Sequence, residues 1–357
     1  MSKKPLILGI ESSCDETAAS LITENEEGFP VVLSNIVSSQ VEVHREFGGV
    51  VPELAARSHI EKIDWIVKKA IDESGRKIEE IDAVASTAGP GLIVCLSVGL
   101  SFGKAFATAM NKPFIAVNHL EGHALSPKLN TNLNYPYLLL LISGGHSQYL
   151  SVQNLGKYKR LGTTIDDALG EAFDKTAKLL GIEFPGGPQI EILAKKGDPE
   201  KYDLPKPIFS KGGCNLSFAG LKTAVLKISK TIKSEQYKYD LAASFQKTIE
   251  EILYKKTKIA FTEFEKINEL DEKIFVVAGG VAANKKIRSM LINLCEENNY
   301  KSIFPPIEFC GDNAAMIAMV GLEKFKINQF NDLDYPAKPR WPLDEDAAFL
   351  KGAGVQL

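Results

Sequence analysis

The fold is decided by a short stretch near the start of the chain, residues 5–22, which reads PLILGIESSCDETAASLI. Two apolar runs, Pro5–Ile10 and Ala18–Ile22, flank the polar segment Glu11–Thr17. This pattern predicts a strand, a turn and a second strand. A related stretch, YLLLLISGGHSQYLSV, begins about 130 residues later at Tyr137. The sequence therefore predicts two copies of one structural plan.

Each opening is followed by helices and further strands. In the first half we predict strands at Val31–Ile36, Asp82–Thr87 and Phe114–Val117, and helices at Pro52–Ser74 and Gly91–Met110. In the second half we predict strands at Tyr137–Ile142, Gln148–Val152, Ile274–Ala278 and Ile303–Phe304, and helices at Asp166–Leu180, Ala219–Lys230, Leu241–Phe264, Ala283–Asn298 and Asp312–Phe325.

Two α/β lobes of this kind, each with a hairpin turn facing a shared cleft, are the architecture of actin-like ATPases and sugar kinases, the ASKHA fold. We expect the active site in the interlobe cleft. We expect one lobe at residues 1–130, completed by the C-terminal segment 322–357, and a second lobe at residues 131–321. A single doubly wound Rossmann sheet is the rival architecture, but no GxGxxG opens a helix in this sequence.

Length and composition limit the classes of function. The chain has 357 residues, of which 45% are apolar and 24% charged, and this suits two globular domains rather than a disordered or fibrous chain. The net charge of −3 means that nucleic-acid binding would need a local basic patch or a helper protein. Five cysteines without a CxxC pair indicate a reducing, cytoplasmic setting. We expect no membrane-spanning segment.

Two histidines four residues apart, His119 and His123, are candidate metal ligands. On a helix this spacing puts both imidazoles on one face. The order differs from the metalloprotease motif HExxH, because Glu121 is the third residue and not the second. Asp312 precedes an apolar helix and is either a helix N-cap or a third ligand. Two histidines and one carboxylate suit iron or zinc, with positions left for substrate.

Glycine-rich and acidic turns are candidate ligand loops. Ser143–His146 lies between two predicted strands, and its consecutive glycines would let backbone N–H groups approach an anion. Glu11–Thr17 occupies the equivalent place in the first half and carries hydroxyls and carboxylates. Each is alternatively a simple hairpin turn. Cys14 lies in this turn, but no histidine adjoins it in sequence, which disfavours a nucleophile.

Taken in order, these segments resemble one family. They are Gly9–Thr17, His44–His59, Asn118–His123, Ser143–His146, Phe173–Lys175, Pro185–Pro188, Ser217–Thr223, Gly279–Asn284 and Gly311–Ala315. The chain is similar to the tRNA N6-adenosine threonylcarbamoyltransferase family, formerly described as O-sialoglycoprotein endopeptidases, and to its bacterial branch in particular. Two departures, Ala18 for glycine and Ala219 for serine, affect no expected ligand.

The resemblance implies transfer of a threonylcarbamoyl group from threonylcarbamoyl-adenylate to N6 of adenosine 37, in tRNAs that read codons beginning with adenine. It implies a divalent metal ion on His119, His123 and Asp312; we expect iron, with zinc as the alternative. It also implies that the adenylate phosphate contacts Ile142, Ser143, Gly144, Gly145 and His146, and that Asp174, Gly187 and Asn284 hold its ribose and adenine. The implied partners are tRNA, a paralogous actin-like subunit and a small P-loop ATPase.

The chemistry is consistent with this residue set. AMP is a good leaving group and the adenine amine is a poor nucleophile, so the enzyme must align the two and stabilise negative charge. We take Asp15 and Glu16 as candidate catalytic residues near the attacking amine. Three alternatives stay open at this point: a metallopeptidase, an actin-like small-molecule kinase and a non-catalytic actin-like regulator.

Overall fold

The computed structural model describes residues 4–208, 212–230 and 234–347. Of these, residues 4–133 and 305–345 form one compact unit, and the described residues between 134 and 304, together with 346–347, form a second. The sequence predicted that the chain re-enters the first lobe at residue 322, whereas in the structure the chain re-enters the first unit at Pro305. The end of the predicted segment, residues 348–357, lies outside the described residues.

The first unit is built on a five-stranded sheet in the order β3-β2-β1-β4-β5. Its strands are β1 (Ile7–Glu11), β2 (Glu16–Glu24), β3 (Pro30–Ser39), β4 (Ala83–Gly89) and β5 (Phe114–Asn118). Strands β1, β4 and β5 run parallel, whereas β2 is antiparallel to both β1 and β3. The carboxyl ends of the three parallel strands therefore meet at one edge of the sheet. The helices before residue 133 are α1 (Val41–Arg45), α2 (Pro52–Ser74), α3 (Ile93–Ala109) and α4 (His119–Leu125).

The second unit repeats this sheet. Its order is β10-β9-β6-β7-β8, which read in reverse matches the first sheet strand for strand. The central strand is again antiparallel to one neighbour and parallel to the other. The strands are β6 (Tyr137–Ile142), β7 (Ser147–Asn154), β8 (Lys157–Thr163), β9 (Ile274–Ala278) and β10 (Lys301–Ile303). The helices are α5 (Leu169–Leu179), α6 (Gly186–Ala194), α7 (Ala219–Ser229), α8 (Glu235–Glu265) and α9 (Lys285–Glu297).

A last helix, α10 (Ala314–Lys326), explains why the chain returns to the first unit at Pro305. One face of β1 packs Leu8 and Ile10 into the core that contains the apolar side of α2. The opposite face lies against α10, and a Cβ on Gly9 would stand 2.5 Å from the carbonyl oxygen of Ala314. Only glycine permits so close an approach between strand and helix backbones. Helix α10 thus covers the second face of the first sheet.

The sequence predictions of both strand–turn–strand openings and of the long helices are confirmed, with ends displaced by a few residues. The strand β8 and the helices α1 and α6 were missed. The rival prediction of a single Rossmann sheet is wrong, because the described residues form two separate five-stranded sheets. Within the described ranges, none of the helices combines the length and hydrophobicity that a bilayer crossing requires.

Candidate metal centre and glycine loop

The two histidines lie on α4, which starts where the parallel strand β5 ends. The side chain of Asn118 caps this helix by accepting a hydrogen bond from the N–H of Leu120 at 2.9 Å. One helical turn separates His119 from His123, and their ring centroids are 4.8 Å apart. Both side chains are buried. Neither histidine is therefore a solvated residue at a helix start.

Asp312 lies directly before α10 and faces this histidine pair. The N-cap of α10 is the next residue, Asn313, whose side chain accepts from the N–H of Met316 at 3.1 Å. Asp312 is therefore not the cap. Its Oδ1 lies 3.1 Å from Nε2 of His123 and 3.5 Å from Nε2 of His119.

These three side chains fit a metal ion. Their ligand atoms all lie within 4.8 Å of one another, and two imidazole nitrogens with one carboxylate oxygen suit iron or zinc. The other ring nitrogen of His123, Nδ1, is buried and has no hydrogen-bond partner among the described residues. Burial disfavours the charged form of His119, but the carboxylates of Asp312 and Glu11 outweigh it and raise the pKa of His119 to about 9.

Glu11 was not singled out by the sequence reasoning. It ends β1, is fully buried, and contacts Nδ1 of His119 through Oε2 at 3.1 Å. Burial raises its pKa, but the interaction with His119 outweighs burial and holds the pKa of Glu11 below its usual value. The sequence feature that could have identified Glu11 is its position as a charged residue at the carboxyl end of an apolar strand.

The acidic turn that follows β1 carries the two candidate catalytic residues. Burial, and then the neighbouring carboxylates of Asp15 and Asp312, raise the pKa of Glu16 well above its usual value. Burial, followed by Asp15, likewise raises the pKa of the Cys14 thiol well above its usual value. A thiol of raised pKa is a poor nucleophile, so the turn offers carboxyl chemistry rather than thiol chemistry.

Glu121, the carboxylate inside the histidine motif, forms an ion pair with another residue. Its Oε2 lies 3.0 Å from Nζ of Lys324 on α10, and both side chains are nearly fully buried. A metalloprotease base must reach a metal-bound water. In this protein the carboxylate of Glu121 neutralises a buried lysine instead.

In the second unit, Ser143–His146 is a hairpin turn between β6 and β7, as predicted. The turn is closed by a hydrogen bond from the N–H of Ser143 to the carbonyl of His146 at 2.8 Å. The carbonyl oxygens of Ser143 and Gly144 also accept from the first turn of α5. Gly144 and Gly145 are exposed, and a Cβ on either would meet no other atom within 4 Å. The loop is therefore fixed at its base and has open space at its glycines.

The remaining predicted ligand residues sit on helices of this unit. Asp174 on α5 accepts from the N–H of Gly186 at 2.8 Å, which places the Gly186–Gly187 start of α6 beside it. Asn284 caps α9 and donates from Nδ2 to Oε1 of Gln246 at 2.9 Å. The side chains of Asp174 and Asn284 thus each form a hydrogen bond with another part of the protein. Their roles as ligands for ribose and adenine stay predictions.

Two α/β units with the same strand order define the class of this protein as the actin-like ATPase and sugar-kinase fold. The fold is shared with the crystal structure of T. kodakarensis HypF, at a TM-score of 0.61 and 14% identity over 91% of this chain and 48% of that one.

Comparison of sequences goes further than the fold. The family model for tRNA N6-adenosine threonylcarbamoyltransferase matches residues 31–319. A protein of that name from Pelagibacter ubique (strain HTCC1062) is 80% identical over 357 residues, covering 100% of both chains. Another from Rickettsia conorii (strain ATCC VR-613 / Malish 7) is 54% identical over 342 residues, covering 95% of this chain and 98% of that one. The chain belongs to the tRNA N6-adenosine threonylcarbamoyltransferase family.

Proposed function

We propose that this protein transfers a threonylcarbamoyl group from threonylcarbamoyl-adenylate to N6 of adenosine 37 in tRNAs that read codons beginning with adenine. The observation that carries the proposal is the full-length match, at 80% identity, to a protein named for threonylcarbamoyl transfer to tRNA adenosine. In the reaction the bond between the carbamoyl carbon and the phosphate oxygen breaks, a bond from N6 to that carbon forms, and AMP leaves.

His119, His123 and Asp312 are proposed to hold one divalent metal ion, with iron preferred over zinc. When bound, the ion supplies Lewis-acid stabilisation of negative charge on the reacting oxygens. The support is the donor set itself, since all three ligand atoms come within 4.8 Å without a rearrangement.

The glycine loop is proposed to bind the phosphate of the adenylate. Ile142, Ser143 and His146 fix the loop at the end of β6, while Gly144 and Gly145 leave their backbone exposed. Backbone N–H groups that are already oriented stabilise an anion without reorganisation at the moment of reaction. Asp174, Gly187 and Asn284 would hold the ribose and adenine in the same unit.

Asp15 and Glu16 are proposed to contact the attacking amine. N6 must lose a proton when it becomes acylated, and a carboxyl group whose pKa lies above its usual value is better matched to accept that proton near neutral pH. The raised pKa of Glu16 supports this role.

A tRNA substrate implies a cytoplasmic reaction. Since the net charge is −3, non-specific attraction to phosphate is weak. We propose that a paralogous actin-like subunit and a small P-loop ATPase complete the working enzyme.

The direct test is incubation of the chain, with those partners, with threonylcarbamoyl-adenylate and unmodified tRNA, followed by nucleoside analysis. Threonylcarbamoyladenosine and an equal amount of AMP are the expected products. ATP hydrolysis without tRNA modification would favour the kinase alternative. The metallopeptidase alternative lacks support at Glu121, whose carboxylate is paired with Lys324.

A further inference from the structure

A buried carboxylate lies behind one of the two histidines of the metal cluster. Oε2 of Glu11 is 3.1 Å from Nδ1 of His119, and Nε2 of the same ring is 3.5 Å from Oδ1 of Asp312. The imidazole of His119 therefore stands between the two carboxylates, with one nitrogen directed at each.

Glu11 is itself held in place by two residues, Thr87 near the end of β4 and Ser13 in the turn that follows β1. The hydroxyl of Thr87 donates to Oε2 of Glu11 at 2.6 Å. The N–H of Ser13 donates to the other oxygen, Oε1, and the Ser13 hydroxyl lies 3.2 Å from the same Nδ1 of His119. Glu11 ends β1, Thr87 lies near the end of β4 and His119 follows β5, so the parallel strands bring these three residues together.

We propose that Glu11 is a positioning residue, which accepts the Nδ1 proton of His119 in a hydrogen bond and so presents Nε2 of that ring to the metal ion. This inference rests on the proposed metal site. A carboxylate that accepts from the distal nitrogen of a ligating histidine fixes the tautomer and the ring orientation, and makes the ligand more basic.

The second histidine lacks such a carboxylate. Nδ1 of His123 is buried without a hydrogen-bond partner among the described residues. We therefore expect loss of Glu11 to act on the metal site through His119 alone.

The test measures affinity for Zn(II) on the isolated, metal-stripped chain, by competition with a chromophoric chelator. Glu11→Gln is expected to lower the affinity about 10- to 100-fold, the usual loss when a partner of this kind is removed. Glu11→Asp keeps the charge but draws it back by one methylene, and it should show a similar loss. The matched control is Glu121→Gln, which also removes a buried carboxylate near the site but one paired with Lys324. It should leave the affinity for Zn(II) unchanged, even if the melting temperature falls.

A double-mutant cycle separates positioning from general damage. In a His119→Ala background, Glu11→Gln should cause no further loss of affinity, because the ring that Glu11 orients is gone. An equal loss with and without His119 would overturn the inference, and so would unchanged affinity in both folded Glu11 variants. Wild-type protein that binds no Zn(II) would overturn the metal site and this inference together. Because no tRNA or adenylate is used, the result does not depend on the transfer reaction.

Discussion

Nε2 of His59, on α2, donates a hydrogen bond to the main-chain carbonyl of Cys14 at 3.0 Å. The same ring accepts at Nδ1 from the hydroxyl of Thr17, which lies 2.7 Å away. A buried histidine from the segment His44–His59 thus holds both ends of the turn that carries Asp15 and Glu16.

This arrangement predicts a pH dependence of stability. Burial lowers the pKa of His59 below its usual value of 6.5. The unfolded chain therefore takes up a proton first as the pH falls, and the contribution of His59 to stability is present above pH 6.5 and is lost below it. For one proton the free energy of unfolding falls by at most about 1.4 kcal/mol per pH unit.

Urea unfolding of wild type and of His59→Gln between about pH 5.5 and 7.5 measures this contribution. The difference in unfolding free energy between the two proteins should shrink as the pH falls, while other titrating groups cancel in the difference. A difference that is constant across this range would contradict the prediction.

The sequence predicted the two hairpin openings because each combines strongly apolar runs with a polar or glycine turn. It missed β8, KYKRLGT, because this strand lies at a sheet edge and its exposed lysines alternate with the half-buried Tyr158 and Arg160 instead of with buried apolar residues. It missed α6 because the residues that begin this helix, Gly186, Gly187 and Pro188, are of types more typical of turns. In the structure Asp174, twelve residues earlier, accepts from the first N–H of that helix.

The candidate metal cluster was accessible from the sequence only in part. The spacing of His119 and His123 predicts a shared helix face, which is a local property. Whether Asp312 was a cap or a ligand candidate could not be decided, because Asn313 beside it is an equally good cap. The contact between Glu11 and His119 joins residues 108 positions apart. Such a contact depends on the parallel arrangement of β1 and β5 around β4, which no local pattern reveals.

Removing a ligand should remove the metal ion. We expect His119→Ala and Asp312→Ala each to lose most of the bound metal, because each supplies one of the three ligands proposed among the described residues. Elemental analysis of purified protein checks this, with Asp332→Ala, an exposed carboxylate of the same unit, as the control. Full occupancy in both ligand variants would rule out the cluster.

Metal affinity should rise with pH. The pKa of His119 is raised to about 9 in the metal-free protein. At pH 7 the ring therefore carries a second proton and a positive charge, and this proton must leave when the metal ion binds. The affinity for Zn(II) should increase by up to about tenfold per pH unit and level off above about pH 9. Chelator competition at several pH values measures the slope. His119→Ala should show a slope that is smaller by about one proton.

The isolated chain should bind tRNA weakly. Phosphate contacts supply much of the affinity for nucleic acid, and a net charge of −3 offers little general attraction. Filter binding of labelled tRNA at physiological salt should show tight binding only after the partner proteins are added. Tight binding by the chain alone, with a steep dependence on salt, would reveal a basic tRNA surface on this chain and would contradict the prediction.

Gly145→Val should abolish transfer to tRNA while leaving the metal ion bound. The turn at Ser143–His146 is exposed at its glycines, and a Cβ on Gly145 would meet no other atom of the protein within 4 Å. The valine should therefore be accepted by the fold and should occupy the space proposed for the adenylate phosphate. An oriented anion donor contributes about 3 kcal/mol to a transition state, so a loss of at least a hundredfold in transfer rate is expected.

Three quantities measured on one preparation distinguish the possible outcomes for Gly145→Val: the metal content, the amount of AMP released and the amount of modified nucleoside. Gly170 provides a contrast, because a Cβ there would stand 2.7 Å from the carbonyl oxygen of Ser143 and should disturb the loop itself. Gly170→Ala is therefore expected to lower the melting temperature, whereas Gly145→Val is not. If Gly145→Val loses metal together with activity, the loop has a structural role. If modification proceeds at the wild-type rate, the phosphate is bound elsewhere, since a valine side chain and a phosphate cannot share the space above Gly145.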